Sequence, residues 1–178
     1  MKLNLRKKSK GFTLVEILLV VGFIALASIG IYAGYNKVTT TSKANEENRN
    51  LQTLKTGIKQ LYGNQGTFTG LTETVIRNSR LAPQQMNTGT AGGLINMFGG
   101  SVTIAPLTFG SFSGFRITSN EIPGDVCVKL VTATSGTFEQ ITAAGTIVKP
   151  IGANNPPNPA TITTACNADK VTMLFDSY

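Results

Sequence analysis

Residues 12–35 read FTLVEILLVVGFIALASIGIYAGY, and the architecture turns on them. The run carries one charged side chain, Glu16, and neither lysine nor arginine. As a helix it extends about 36 Å, against about 30 Å for the hydrocarbon core of a bilayer. Just before it lie five of the 16 basic residues: Lys2, Arg6, Lys7, Lys8 and Lys10. Such a cluster holds its end of an apolar segment in the cytoplasm, so everything after Tyr35 is expected on the far side of the membrane. No proline interrupts residues 12–62. Leu51, Leu54, Ile58 and Leu61 recur at steps of three and four, which predicts one apolar stripe. Lys43, Glu46, Glu47, Arg49, Lys55 and Lys59 are expected on the other faces, and Gly63-Asn64 supplies the stop. The pattern reads as a single helix of about 51 residues and about 77 Å, its first half in lipid and its second half against a globular head.

The net charge of +7 belongs to the N-terminus. After residue 11, eleven basic residues face nine acidic ones, with no dense basic stripe. A phosphate-binding domain keeps its charge in its body, so a nucleic-acid partner is left open rather than indicated. The chain has no histidine, which removes the usual acid–base residue and every His-based metal site. Two cysteines are too few for a four-thiolate zinc site or an iron–sulfur cluster. Only carboxylate catalysis remains open. Glu73, Glu121, Asp125, Glu139, Asp169 and Asp176 share no acid–base or metal spacing and read mainly as solvated surface charge. Glu121 and Asp125 flank a turn and are close enough in sequence to meet, while Asp169 and Asp176 suit salt bridges to neighbouring subunits. The pairs Gly92-Gly93 and Gly99-Gly100 lack the Lys-Ser/Thr of a phosphate loop and read as turns. No enzymatic activity, metal or cofactor is expected.

Glu16 is the informative residue of the apolar run. A carboxylate at that depth costs a few kcal/mol and marks a function or a partner. One reading keeps it wet or protonated near the interface. The other supplies a cation from a second chain, and a cut after Gly11 would create one in the α-amino group of Phe12. A cleaved secretory signal is the rival for the whole segment, with a small-residue site in residues 25–30. Against it stand Glu16 inside the apolar core and the helical pattern that continues past it.

The run KSKGFTLVEILLVVGFIALASIG (residues 8–30) resembles the class III signal and N-terminal helix of type IV prepilins. Gly11 matches the last residue of the leader, Phe12 the first mature residue, and Glu16 the acidic fifth position of the mature chain. The resemblance implies cleavage between Gly11 and Phe12 by a prepilin peptidase, which also methylates the new amino terminus. It further implies assembly through Phe12 and Glu16 into a homo-oligomeric helical filament. The implied machinery is an assembly platform, an ATPase and an outer-membrane secretin. The subunit would wait as a single-pass inner-membrane protein with its N-terminus in the cytoplasm, then form an extracellular pilus serving adhesion, motility, aggregation or DNA transfer.

The implied fold is α+β: a lollipop of long helix and antiparallel β-sheet head. It divides into a leader (1–11), a transmembrane and assembly half-helix (12–35), an amphipathic half-helix (36–63) and a disulfide-bearing head (64–178). The head is more similar to the type IVb group, whereas the short leader and Phe12 depart from that group, Phe12 towards type IVa. Pseudopilins and minor pilins share the N-terminal motif. A membrane-anchored binding module that never polymerises is the reading from another class. Gly22, Gly30 and Gly34 each weaken the helix by up to about 1 kcal/mol relative to alanine, so residues 22–34 are expected to lose helical order in a filament.

From Gly66 onward the composition shifts to Gly, Thr, Asn and Ser, and 20 of the 24 threonines follow position 50. Threonine favours strands. Residues 72–81 have helical spacing before Pro83. Strands are expected at 101–105, 114–118, 126–132, 146–149 and 170–175, the third from the alternation of Val126, Val128 and Leu130. Residues 137–142 fit a strand or a short helix, and NNPPNP at 154–159 reads as a loop. Cys127 and Cys166 fall on the exported side, where an even count favours a disulfide; two free buried thiols are the alternative.

Overall fold

The computed structural model describes residues 11–87, 93–152 and 155–178. The basic cluster at Lys2–Lys10, Gly92 and Asn154 lie outside them. The chain divides into two units, 1–39 and 40–178. Helix α1, Leu14–Tyr62, contributes to both.

The first unit is helical from Leu14. Thr13 caps it: its hydroxyl accepts a hydrogen bond from the Glu16 amide at 3.3 Å, and its carbonyl accepts from Ile17 at 3.2 Å. Thr13 with Glu16 three residues on is the composition of a capping box. Residues Leu14–Tyr32 have a mean hydropathy of 2.6, and all are exposed among the described residues.

The second unit opens with the remainder of α1. Next come α2 (Glu73–Asn78), a 3-10 turn (Gln84–Met86), β1 (Leu94–Ile95), β2 (Ser101–Phe109) and β3 (Phe112–Pro123). Then follow α3 (Gly124–Thr134), β4 (Gln140–Ala143), β5 (Thr146–Lys149), α4 (Pro159–Ala165) and β6 (Lys170–Ser177). Among the described residues the strands form one antiparallel sheet of order β1-β2-β3-β6-β4-β5. Its buried face carries Val102, Ile104, Phe115, Ile117, Met173, Phe175 and Ile141, which join Leu51, Leu54 and Ile58 of α1 in one core.

The helical stripe differs from the expected one at both ends. Leu61 is 37% exposed, and Tyr62 takes its place, its ring 5.7 Å from that of Phe68. At 3.6 residues per turn the buried face drifts, so a step of four from Ile58 lands on it better than a step of three. At the other end Ala44 and Glu47 continue the stripe inward, so Glu47 is buried rather than solvated.

Residues 126–132 are helix, not strand. Val126, Cys127, Leu130 and Val131 are all buried, which is helical periodicity, whereas Val128 of the apparent alternation is 39% exposed. Pro123 ends the sheet, and Gly124 begins α3 where a Cβ would run into the carbonyls of Cys166 and Ala168. The 154–159 loop is also shorter than expected. Pro159 opens α4 at a position where its missing N–H costs nothing, and the Asn158 side chain accepts from the Ala160 amide at 2.9 Å. Within residues 137–142 the strand begins at Gln140. Ala144 and Gly145 then turn the chain with positive φ at both, which suits a two-residue hairpin. Residues 73–78 form the short helix expected before Pro83, with Thr72 as its cap.

Cys127 of α3 and Cys166 at the end of α4 are disulfide-bonded, with Cα atoms 5.6 Å apart. Both are buried. Asp176 is fully buried too, opposite Arg116 across the β3–β6 ladder, and the pair is bidentate at 2.6 and 2.8 Å. It does not reach out to a neighbour as expected. The carboxylate also raises the Arg116 pKa further. Glu121 pairs with Lys170 rather than meeting Asp125.

Replacing both cysteines by alanine opens the 127–166 loop and is expected to lower stability by about 4 kcal/mol on the loop-entropy account. Urea unfolding checks this. A midpoint that stays in place would show that the bridge adds nothing to packing already present.

Candidate assembly site

Two groups of residues have functional chemistry, one in each unit. In the first unit Gly11 and Phe12 precede α1, and Phe12 is 79% exposed. Glu16 lies in the first turn of the helix, exposed, and enters no ion pair among the described residues. From Leu14 to Tyr32 the large apolar side chains stand open, Phe23 and Leu26 at 74% and 73%. Among the described residues, nothing beyond the helix's own backbone lies within 4 Å of where a Cβ would stand at Gly22 or Gly30. The surroundings of Gly34 lie outside the described residues.

In the second unit a buried polar cluster ties α1 to the turn between β1 and β2. Asn96 is its pivot. Its Oδ1 accepts from the amides of Phe98 and Gly100, each at 2.9 Å. Its Nδ2 donates to Ser119 Oγ at 3.0 Å and to the Asn120 carbonyl at 2.6 Å. All the side-chain capacity of an amide is thus used to hold the turn against β3. Glu47 completes the cluster from α1, its Oε2 accepting from the Met97 amide at 3.0 Å. Glu47 Oε1 and Asn50 Nδ2 are buried without a hydrogen-bond partner. Burial pushes the Glu47 carboxyl up to about 7, and the Met97 and Ser119 hydrogen bonds only partly oppose this.

A second anchor sits at the 134–139 connection. Lys149 is 6% exposed and donates to the carbonyls of Phe138 and Glu139, both at 2.8 Å. Lys55 of α1 reaches the Thr137 carbonyl and the Glu139 carboxylate, and its ammonium lies 5.2 Å from the centre of the Phe138 ring. Burial lowers the pKa of both lysines, and Glu139 opposes the shift. Of the six carboxylates that looked like surface charge, Glu139 is therefore engaged internally, and so is Glu73, which accepts from the Ile104 amide at 2.7 Å.

The two cysteines expected to pair are bonded, whereas Glu47, Asn96, Lys149 and the Arg116–Asp176 pair were not foreseen from the sequence. Glu47 had a signal. It stands four residues before Leu51, on the rail that continues through Leu54 and Ile58. The others are joined by sheet register and loop closure, which leave no local periodicity.

The protein family described as PilS N terminal matches residues 41–178. The chain belongs to that family. Its relatives include the major structural subunit of bundle-forming pilus from Escherichia coli O127:H6 (strain E2348/69 / EPEC). That protein is 26% identical over 86% of this chain and 78% of its own length. The subunit of the same name from Escherichia coli O111:H- is 24% identical over 98% of each. Among solved structures, the type IV b pilin from Salmonella typhi superposes with a TM-score of 0.58 at 22% identity, over 75% of this chain and 98% of that one. TcpA, a type IV pilin from the Vibrio cholerae El Tor biotype, gives 0.57 at 15% identity over 77% and 99%. The expected α+β fold, a long helix with an antiparallel sheet, is the type IV pilin fold.

In this family member Glu47 makes stability depend on pH. Its carboxyl titrates at about 7 in the fold, against the 4.5 of an unperturbed glutamate. The folded chain therefore binds more protons than the unfolded chain between those values, and stability falls as pH rises through them. The loss is complete above about pH 7 and is on the order of 3 kcal/mol. Glu47→Gln is expected to remove most of it. Urea unfolding of both proteins at pH 5 and pH 8 checks this: the variant should lose less stability between the two. Equal losses would show that the carboxylate is solvated after all.

Proposed function

We propose that this chain is the structural subunit of a type IV pilus, polymerising through its N-terminal helix. The observation that carries this reading is the 19-residue apolar run Leu14–Tyr32, exposed and bearing one carboxylate, Glu16, that enters no ion pair among the described residues. Lipid satisfies such a run before assembly, and copies of the same run satisfy it afterwards. Burial contributes on the order of 1–3 kcal/mol for each large apolar side chain, so a bundle of many copies is stable once formed. The relatives named as bundle-forming pilus subunits and the type IV pilin fold support the same reading.

In this proposal residues 1–11 are a leader, 12–35 the membrane and filament-core half of the helix, 36–63 the amphipathic half and 64–178 the head. A prepilin peptidase cuts between Gly11 and Phe12 and methylates the Phe12 amine. That amine then pairs with Glu16 of an adjacent copy. The pair acts as a register device, because a carboxylate in a low-dielectric bundle without its cation is strongly disfavoured. Residues 22–34, with Gly22, Gly30 and Gly34, lose helical order in the filament and lend it extensibility. An assembly platform with its ATPase extracts the subunit from the inner membrane, and an outer-membrane secretin passes the filament to the cell surface.

Intact mass of the subunit from sheared surface filaments is expected to correspond to a chain that starts at methylated Phe12 and is two hydrogens light for one disulfide. A chain still carrying Met1 would overturn the processing step. Glu16→Ala is expected to leave the subunit in the membrane and cut filament yield by about tenfold or more, the scale set by an unpaired buried charge. Undiminished filaments from that variant would overturn the register role.

A further inference from the structure

The β2–β3 hairpin turns at Gly110 and Ser111, with Phe109 directly opposite Phe112. Gly110 has φ +55°, as the first central residue of a type II′ turn requires. Directly opposed residues share one face of a sheet, so two phenylalanines stand together at the tip. Tyr178, which follows β6, joins them. Its ring stacks on Phe112 with centroids 5.9 Å apart and meets Phe109 edge-on at 6.2 Å. Gly114 makes room for this arrangement, since a Cβ there would stand 3.2 Å from a carbon of the Phe109 ring. The three rings, Gly110 and Ile151 line an open cavity of about 310 Å³. Phe112 is 65% exposed, and Ile151 and Tyr178 are exposed beside it.

The cavity suits a narrow class of ligand. None of its lining residues is charged, and the Tyr178 hydroxyl is their one polar side-chain group. A sugar or a primary ammonium would give up hydrogen bonds to water there without replacing them. A quaternary ammonium has no N–H to satisfy, and the faces of aromatic rings attract its charge. Arg116, two positions beyond Gly114 on the same strand face, is held by Asp176 and adds no unbalanced repulsion.

A second cleft, of about 280 Å³, shares Tyr178 with the first and is lined by Gly152 next to Ile151. Its character is polar. Lys149 lines it and places two of its three N–H bonds on the Phe138 and Glu139 carbonyls. Ser135 and Thr137 bring hydroxyls to the same wall. Glu139 also lines the cleft, but its carboxylate is engaged by Lys55. An aromatic cavity that suits a cation therefore adjoins a cleft with an ammonium and hydroxyls, which suits a phosphate. That is the charge order of a zwitterion with trimethylammonium and phosphate ends.

We propose that the Phe109–Phe112–Tyr178 cavity binds the phosphocholine headgroup of lipid at a membrane surface, the trimethylammonium among the rings and the phosphate towards Lys149. The rim favours lipid over dissolved phosphocholine. Phe112, Ile151 and Tyr178 stay wet when a small solute fills the cavity, whereas a headgroup layer covers them, and tyrosine rings collect at that depth. The site lies wholly in the second unit and does not rest on the filament reading.

The test uses the full chain in phosphatidylglycerol nanodiscs, so that Leu14–Tyr32 already has its lipid, and measures co-sedimentation with vesicles of a single lipid. Phosphatidylcholine vesicles are expected to bind at least about fivefold more tightly than phosphatidylethanolamine vesicles, which carry the same phosphate and a primary ammonium. Phe112→Leu keeps an apolar side chain without the ring and is expected to abolish that preference. Tyr178→Phe keeps the ring and is expected to retain it. Ile151→Arg, outside helix and strand, sets a cation at the cavity and is expected to abolish the preference without touching the hairpin; an unchanged urea midpoint shows that each variant is folded. Absent or equal binding to the two lipids overturns the proposal, as does a preference that survives Phe112→Leu or Ile151→Arg, or is lost in Tyr178→Phe. Tighter binding to phosphatidylglycerol vesicles than to phosphatidylcholine overturns it in favour of a general anionic surface. Soluble phosphocholine bound as tightly as phosphatidylcholine vesicles overturns it in favour of a free solute.

Discussion

An apolar helical segment with no core of its own cannot remain in water. Residues 14–32 expose phenylalanine, leucine, isoleucine and valine on every side. A helix that buries a single stripe can belong to a globular domain, whereas one that is apolar all round needs lipid or other helices about it. The same α1 element meets the first description after residue 44 and the second before residue 32. The change occurs within one unbroken helix, Leu14–Tyr62.

The head is closed by polar contacts as much as by its core. Asn96 saturates its amide on the β1–β2 turn, Lys149 caps two carbonyls, and Arg116 pairs with a fully buried Asp176. Each occupies a place where a loop or strand end would otherwise leave backbone or charge unsatisfied in a dry environment. Glu47 is the exception, since one of its oxygens has no partner and its burial is opposed at neutral pH. It joins the half of α1 that packs on the sheet to a turn at the sheet's edge.

Much of the fold can be read directly from the residues, because α1 is a local object. Its approximate length and its stop at Gly63 are written in consecutive letters, as are the 146–149 strand and the short helix before Pro83. Residues 126–132 show where local reading fails. Val126, Val128 and Leu130 alternate as a strand would, yet Cys127 and Val131 fill the helical positions between them, and the disulfide partner lies 39 residues on. Alternation and helical spacing coincide over so short a run, and only tertiary packing separates them. Pro159 misleads in the opposite direction, because a residue that blocks a helix interior is well suited to a helix start. The buried charges stay hidden for a third reason: Arg116 and Asp176 are 60 residues apart and meet only through strand register.

The position of β6 has a consequence for how the protein is made. Its eight residues follow β3 and β4 in sequence yet lie between them in the sheet. Until they pair, β2–β3 and β4–β5 are separate hairpins, each with an unpaired edge and with Met173 and Phe175 absent from the core around Phe115. Such long-range pairings close late and slowly. The sheet is therefore whole only once β6 has paired with both of its neighbours.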